Sequence, residues 1–317
     1  MSSPGTAVTV RVPCSTSNLG AGFDCVGMAL DRWLAVEARL DGDAAAPVLA
    51  RGGALAALDA AGVAAADDLV LRGAALACTA AGHALPRGLV LHATSDVPVA
   101  RGLGSSAAAL VAGALAADAL LALGLGAQMA AALAATAEGH PDNAAPCALG
   151  GAVLGVPRGD APGGWHLVRL PVHPDVGVAL AVPDFQTSTR TMRAALPPTL
   201  PYADAVRTAG KAAALVHGLA HADAALLAHA LDDVLHVPYR RALLPGYDAV
   251  VGAARAAGAW GATISGAGSS LVALAPRARA AAVAAAMAEA WCAAGVAARP
   301  LVPAIAAGAS VRVRRDN

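Results

Sequence analysis

The ten residues from Pro98 to Ala107, P-V-A-R-G-L-G-S-S-A, run straight into an alanine-rich stretch that meets no charged residue until Asp118. The pattern predicts a strand at 89–94, a tight glycine turn and a helix over 105–121. A helix start leaves backbone N–H groups without intrahelical partners. The helix dipole adds partial positive charge at the same place. Gly102 and Gly104 let the main chain approach an anion closely. Ser105 and Ser106 offer hydroxyls to phosphate oxygens or to a cation. The spacing is neither G-x-x-x-x-G-K-[ST] nor G-x-G-x-x-G. On spacing alone the stretch is either a phosphate cradle or a plain strand–helix turn.

What surrounds the turn must be built largely from small aliphatics, because only 3% of the 317 residues are aromatic. That length predicts about two domains. The chain is 57% apolar, and its uncharged run 119–137 contains Gly124, Gly126, Gln128 and Thr136. A buried helical hairpin explains that run better than a membrane span. No basic region followed by an apolar core opens the chain, so no secretory signal is expected. With 22 basic and 22 acidic residues and no basic patch, nucleic acid is not the expected partner. The five cysteines are scattered and never C-x-x-C. They read as reduced thiols of a cytoplasmic protein. A single lysine, Lys211, stands among the basic residues, all others being arginine.

Along the chain, strands are expected at 7–12, within 25–40, at 89–94, after Gly150–Gly151, at 176–182, around 260–275, and at 296–302 and 311–314. Helices are expected at 68–82, 105–121, 127–136, 203–217, 222–234, 246–257 and 277–294. The Pro/Gly-dense stretch 157–164 is the linker candidate. It suggests a domain of residues 1–160 and a second of 161–317, in an α+β architecture.

Further polar segments interrupt this apolar chain. Ser15 to Asp24 combines glycines with Asn18 and Asp24, which can accept hydrogen bonds from an ammonium group or simply form an Asx-rich turn. Glu138-Gly139-His140-Pro141-Asp142-Asn143 follows an apolar helix. It reads as a magnesium–phosphate site or as a polar helix end with a proline stop. Thr189 and Arg193 share one segment, and Tyr239 and Arg240 another. Arginine is the bidentate clamp for carboxylate or phosphate, although lone arginines are mostly surface residues. Ser265-Gly266-Ala267-Gly268-Ser269-Ser270 is either a second cleft-lining turn or a hairpin connection. His217 and His221 lack the H-E-x-x-H context, and no G-x-S-x-G elbow exists.

Taken together, R-V-P-C-S-T-S-N-L-G-A-G-F-D, P-V-A-R-G-L-G-S-S-A-A-A, E-G-H-P-D-N-A-A-P and I-S-G-A-G-S-S resemble the galactokinase, homoserine kinase, mevalonate kinase and phosphomevalonate kinase superfamily. N-L-G-x-G-F-D with H-P-D-N-A-A-P is similar to its homoserine kinase branch. T-R-T-M-R and H-V-P-Y-R-R-A-L-L-P-G-Y add to the match, which runs from Val8 to about Leu274. The resemblance implies a two-domain GHMP kinase fold. Its N-terminal domain is related to a ribosomal-protein fold and its C-terminal domain is ferredoxin-like. It implies ATP, Mg2+ and homoserine as ligands, and a homodimer as a candidate assembly. The loop from Pro98 and Arg101 through Gly102, Leu103, Gly104, Ser105, Ser106 and Ala107 would hold the ATP phosphates. Ser106 and Glu138 would hold magnesium. Asn18, Asp24 and His140 would contact homoserine, and Arg193 and Arg240 its carboxylate. Asn143 would lie beside the reacting hydroxyl, with Thr189 close by. Such kinases often carry Asn where this chain has Asp68, near the adenine.

Phosphoryl transfer depends on positioning and charge stabilisation more than on covalent help. Some superfamily members resemble one another in using an Asp–Lys pair near the hydroxyl. Here the corresponding residue is Asn143, and no lysine precedes Lys211. An amide orients a hydroxyl but cannot take its proton, so catalysis without a dedicated base is the expectation.

Overall fold

The computed structural model describes residues 6–42, 44–159 and 164–315. Strands β1 (Thr6–Asn18) and β2 (Gly22–Leu40) form one long antiparallel hairpin. Val8, Val10 and Val12 alternate inward on β1, opposite Leu34, Val36 and Ala38 of β2, as period-2 patterning demands. Short strand β3 (Val48–Gly53) and helices α1 (Ala56–Ala60) and α2 (Leu69–Ala80) lead into β4 (Leu89–Ser95). Then come α3 (Ser105–Leu121), α4 (Gly126–Glu138), α5 (Ala144–Leu149), β5 (Ala152–Pro157) and β6 (Trp165–Leu170). The alanine of α3 does structural work. Cβ atoms added at Gly73 of α2 and Gly113 of α3 would fall 2.1 Å and 1.8 Å from backbone carbonyl oxygens of the facing helix. The two helices therefore pack almost backbone to backbone, which only small side chains allow.

The rest of the chain supplies β7 (Val176–Pro183), α6 (Thr189–Ala194), α7 (Tyr202–His221), α8 (Ala224–Leu231), α9 (Val237–Arg240) and α10 (Tyr247–Ala256). It continues with β8 (Gly261–Ile264), β9 (Leu271–Pro276), α11 (Ala280–Ala293), β10 (Ala298–Leu301) and β11 (Ser310–Arg315). A four-stranded antiparallel sheet runs β10-β7-β9-β8. β7 is buried on both faces. Val176, Val178, Leu180 and Val182 meet α7 and α8, and Ala179 and Ala181 meet α10 and α11. The fold is the expected two-domain α+β arrangement.

Three expectations need correction. The 157–164 linker is the connection of the β5–β6 hairpin, paired as far as Pro157 with Trp165; its residues 160–163 lie outside the described set. β6 thus stays in the seven-stranded first sheet, and β11 returns to that sheet beside β1. The second sheet starts at Val176, so a cut at 160/161 does not follow the strands. Proline and glycine density marks any tight reversal, whether or not a domain ends there. One apolar cluster, with Leu19, Met28 and Leu30 from the first part and Val178, Leu180 and Leu231 from the second, also joins the halves. Third, β1 runs on past the expected 7–12 to Asn18, and the reversal is confined to Leu19–Ala21. No helix of the described residues is long and apolar enough to cross a membrane.

Candidate active site

The glycine stretch does form a strand–turn–helix unit. Ala100, Gly102 and Gly104 all take positive φ, which places Gly104 in the left-handed region as the residue before α3. No side chain caps α3, and its ladder opens with Ala108 N–H donating to Gly104 O. The first N–H groups of a long helix are thereby left for an outside acceptor. Strand β1 and the 265–270 turn grip this loop. Ser265 Oγ donates to Gly102 O at 2.6 Å, and Ser15 N–H donates to Leu103 O at 3.2 Å. Cβ atoms at Gly102 and Gly104 would lie 2.2 Å from Ser265 O and 2.0 Å from Ser15 Oγ. Glycine is required there by space as well as by φ. The 265–270 turn is therefore a second cleft-lining turn and not a bare hairpin connection.

Between these turns lies a cleft with about 870 Å3 of empty space. Asn18, Asp24, Gly102, Leu103, Gly104, Ser105, Ser106, Glu138, His140, Asn143, Thr189, Arg193 and Arg240 all line it. Three residues of the expected phosphate loop do not. Ala107 is fully buried in the first core. Pro98 and Arg101 face a separate shallow groove beside Pro183 and Arg299. Arg101 spends its guanidinium on the carbonyls of Val99, Pro183 and Asp184 and so ties the loop to the second sheet. Lys211 is also absent from the cleft. It is buried with its Nζ donating to the carbonyls of His229 and Asp232.

One end of the cleft is cationic. Arg193 forks onto Asp24 at 2.8 and 3.0 Å. Arg240 is 1% exposed and forms no ion pair among the described residues. It donates to Met192 O at 3.0 Å and meets His236 Nδ1 at 3.3 Å. Burial, and then the like charge of Arg193, pull its pKa down to about 10. A buried guanidinium without an anion is costly unless a ligand supplies one. Phe23 lies beneath both arginines, with ring centroids 5.1 Å from Arg240 and 5.8 Å from Arg193, and stacks on His236 at 4.9 Å. Burial pushes the His236 pKa down to about 4 and keeps that ring neutral. Sequence reasoning missed Phe23 and His236. One signal was available, since Phe23 is one of only two phenylalanines in the chain.

Carboxylates gather beside these arginines. Glu138 ends α4; its buried Oε2 has no hydrogen-bond partner among the described residues, and burial lifts its pKa to about 7 against the pull of His140. An orphaned carboxylate oxygen in the same cleft as the Ser106 hydroxyl is a hard-oxygen donor set suited to magnesium. Asp24, His140 and Asp142 also converge, with ligand atoms within 4.8 Å of one another. There, however, Arg193 already takes Asp24, and Asp142 already takes His140 at 2.5 Å. Burial alone would lower the His140 pKa, but the Asp142 bond and the surrounding carboxylates outweigh it and raise the value. The structure gives Asn18, which lines the cleft, a positioning task as well. Its amide donates to Gly266 O at 2.6 Å and accepts from Asp24 N–H at 3.0 Å, and so sets the turn that presents Asp24. Ser17 and Asp142, which lie within the polar segments read from the sequence but had no role of their own there, join the cleft, as does Thr187, which no sequence pattern singled out. A second, mostly apolar pocket of Leu55, Leu58, Val63, Leu69 and Val70 abuts Ser105 and Ser106. Asp68 borders it, but its carboxylate caps α2 and pairs with Arg51 at 2.7 Å.

Comparison with known proteins supplies the family. GHMP kinases N terminal domain covers residues 68–151, and GHMP kinases C terminal covers 215–293. The homoserine kinase of Trichormus variabilis is 42% identical over 92% of this chain and 93% of its own. That of Gloeobacter violaceus is 43% identical over 89% and 92%. The crystal structure of homoserine kinase from Cytophaga hutchinsonii superposes with a TM-score of 0.83 at 28% identity, covering 96% of this chain and 97% of that one. The chain belongs to the GHMP kinase family, on its homoserine kinase branch.

Proposed function

We propose that this protein transfers the γ-phosphoryl group of ATP to the side-chain hydroxyl of L-homoserine, giving O-phospho-L-homoserine for threonine biosynthesis. The observation that carries the reading is Arg240, a buried cation with no ion-pair partner among the described residues, beside the Asp24–Arg193 pair in a cleft that the uncapped start of α3 also lines. One end suits a zwitterion and the other a polyphosphate.

The apolar pocket beside Ser105 takes the base and sugar, which places the phosphates over Gly102–Ser106. The α3 N–H groups stabilise charge on those phosphates, and being fixed in advance they cost no reorganisation. Ser106 and Glu138 hold magnesium, which when bound neutralises phosphate charge. Arg240 and Arg193 hold the amino-acid carboxylate, and Asp24 and His140 the ammonium side. Asn143 Oδ1 retains a lone pair to orient the hydroxyl, with Thr189 at the rim. No lysine reaches the cleft, so the hydroxyl proton leaves to phosphate or solvent once both substrates are aligned. Alignment of this kind is worth roughly 7–11 kcal/mol of barrier.

Truncated acceptors test the reading. 3-Aminopropan-1-ol lacks the carboxylate of homoserine, and 4-hydroxybutanoate lacks the ammonium. Each should fall at least 100-fold in kcat/KM, the first because buried Arg240 is left without an anion and the second because Asp24 and His140 lose the ammonium they face. Turnover of either at the homoserine rate, or a preference for mevalonate or galactose, would overturn it.

A further inference from the structure

Asn143 forms three hydrogen bonds whose directions determine where one proton lies. Its Oδ1 accepts from Ser15 Oγ at 2.9 Å. Its Nδ2 donates to Ser17 Oγ at 2.8 Å and to Asp142 Oδ1 at 3.3 Å. An amide nitrogen only donates, so Ser17 Oγ is the acceptor in its bond and keeps its own proton. Among the described residues Ser17 Oγ donates to nothing. Ser17 is buried yet lines the cleft, whereas Ser15 does not. It lies where the two glycine turns meet. Gly266 N–H donates to Ser17 O at 3.1 Å, and a Cβ at Gly266 would lie 3.5 Å from Ser17 Oγ and 3.3 Å from Gly102 O.

We propose that the Ser17 hydroxyl donates to an oxygen of the phosphoryl group in transfer, and that Asn143 is the positioning residue that keeps this proton free. The inference rests on reading the cleft as the phosphate and acceptor site. In phosphoryl transfer the equatorial oxygens carry the charge, and a donor held in place before reaction stabilises it without reorganising. Asn143 holds Ser17 in place through a bond that cannot reverse direction.

That directionality gives a sharp test. Asn143→Asp keeps the shape but turns the donor into a second acceptor, which draws the Ser17 proton out of the cleft. If Asn143 served only as a weak stand-in for a base, this variant would match or exceed the unaltered protein. Here it should instead lose kcat by about 100-fold, the usual cost of one such donor. Ser17→Ala should lose about as much, with KM for ATP and homoserine within about threefold of the unaltered protein. The double variant should be no worse than Asn143→Asp alone, since both changes remove the same contact. Calorimetry of magnesium–ATP binding to each variant checks that the cleft is intact. An unaltered protein that binds no nucleotide fails the cleft reading and the serine assignment with it. Turnover by Ser17→Ala within twofold of the unaltered protein, or full activity in Asn143→Asp, refutes the serine assignment alone.

Discussion

Replacing Arg240 with methionine should leave stability nearly unchanged and make the protein a far worse enzyme. Arg240 is 1% exposed, and its guanidinium has no carboxylate partner while its pKa is lowered to about 10. Against an ordinary value of 12.5, that shift means that the folded chain pays about 3 kcal/mol to keep the charge at neutral pH. Methionine is of similar reach and carries no charge. It forfeits the bonds to Met192 O and His236 Nδ1, about 1 kcal/mol each, and the contact with Phe23, about 1 kcal/mol. Gain and loss nearly cancel, so Tm should stay within about 2 °C of the unaltered protein. Homoserine then meets only Arg193. Loss of one partner from a buried charge pair costs on the order of 3 kcal/mol, so kcat/KM for homoserine should fall about 100-fold. KM for ATP should hold. Thermal unfolding beside a coupled ATP assay reads all three quantities. A fall of more than 5 °C in Tm (about 2 kcal/mol or more for a chain this long) with homoserine kcat/KM nearly unchanged would refute the reasoning. It would mean that Arg240 belongs to the core rather than to the ligand.

Gly104→Ala places a Cβ 2.0 Å from Ser15 Oγ at a φ of +64°; calorimetry should show magnesium–nucleotide affinity reduced at least tenfold, from about 1–2 kcal/mol of backbone strain plus the clash. Asp68→Ala removes the α2 cap and leaves the buried Arg51 guanidinium with Asp59 as its carboxylate partner beside the carbonyls of Val63 and Ala64. The Tm should drop by several degrees, from about 3 kcal/mol for the pair and about 1 kcal/mol for the cap. His140 titrates above its ordinary value because Asp142 favours the charged ring more than burial opposes it. Its contribution to stability is full below pH 6.5 and disappears as pH rises through the higher folded pKa. An NMR titration of the ring should place the midpoint above 6.5, and Asp142→Asn should bring it down.

The site was more legible in the sequence than the domain boundary was. Polar residues in an apolar chain must be satisfied somewhere, so clusters such as Ser15–Asp24 and Glu138–Asn143 announced themselves. Asp24, His140, Asn143, Arg193 and Arg240 do share one cleft. Pairings were not legible. Arg193 on Asp24, Arg240 on Phe23 and Asn143 on Ser17 join residues far apart in the chain. No local pattern encodes such contacts. The boundary at 157–164 failed because a hairpin turn and a linker use the same residues. Arg101 and Asp68 illustrate the same limit. Both sit within recognisable motifs, yet their charges hold the scaffold together.

Phosphorus NMR of the protein with magnesium, ATP and L-homoserine in one tube addresses the account at its centre. A phosphomonoester signal split by an adjacent methylene should grow as the γ-phosphate signal shrinks. If only ADP and inorganic phosphate accumulate, or if the ester forms on another alcohol and not on homoserine, the cleft does not do what its residues are described as doing.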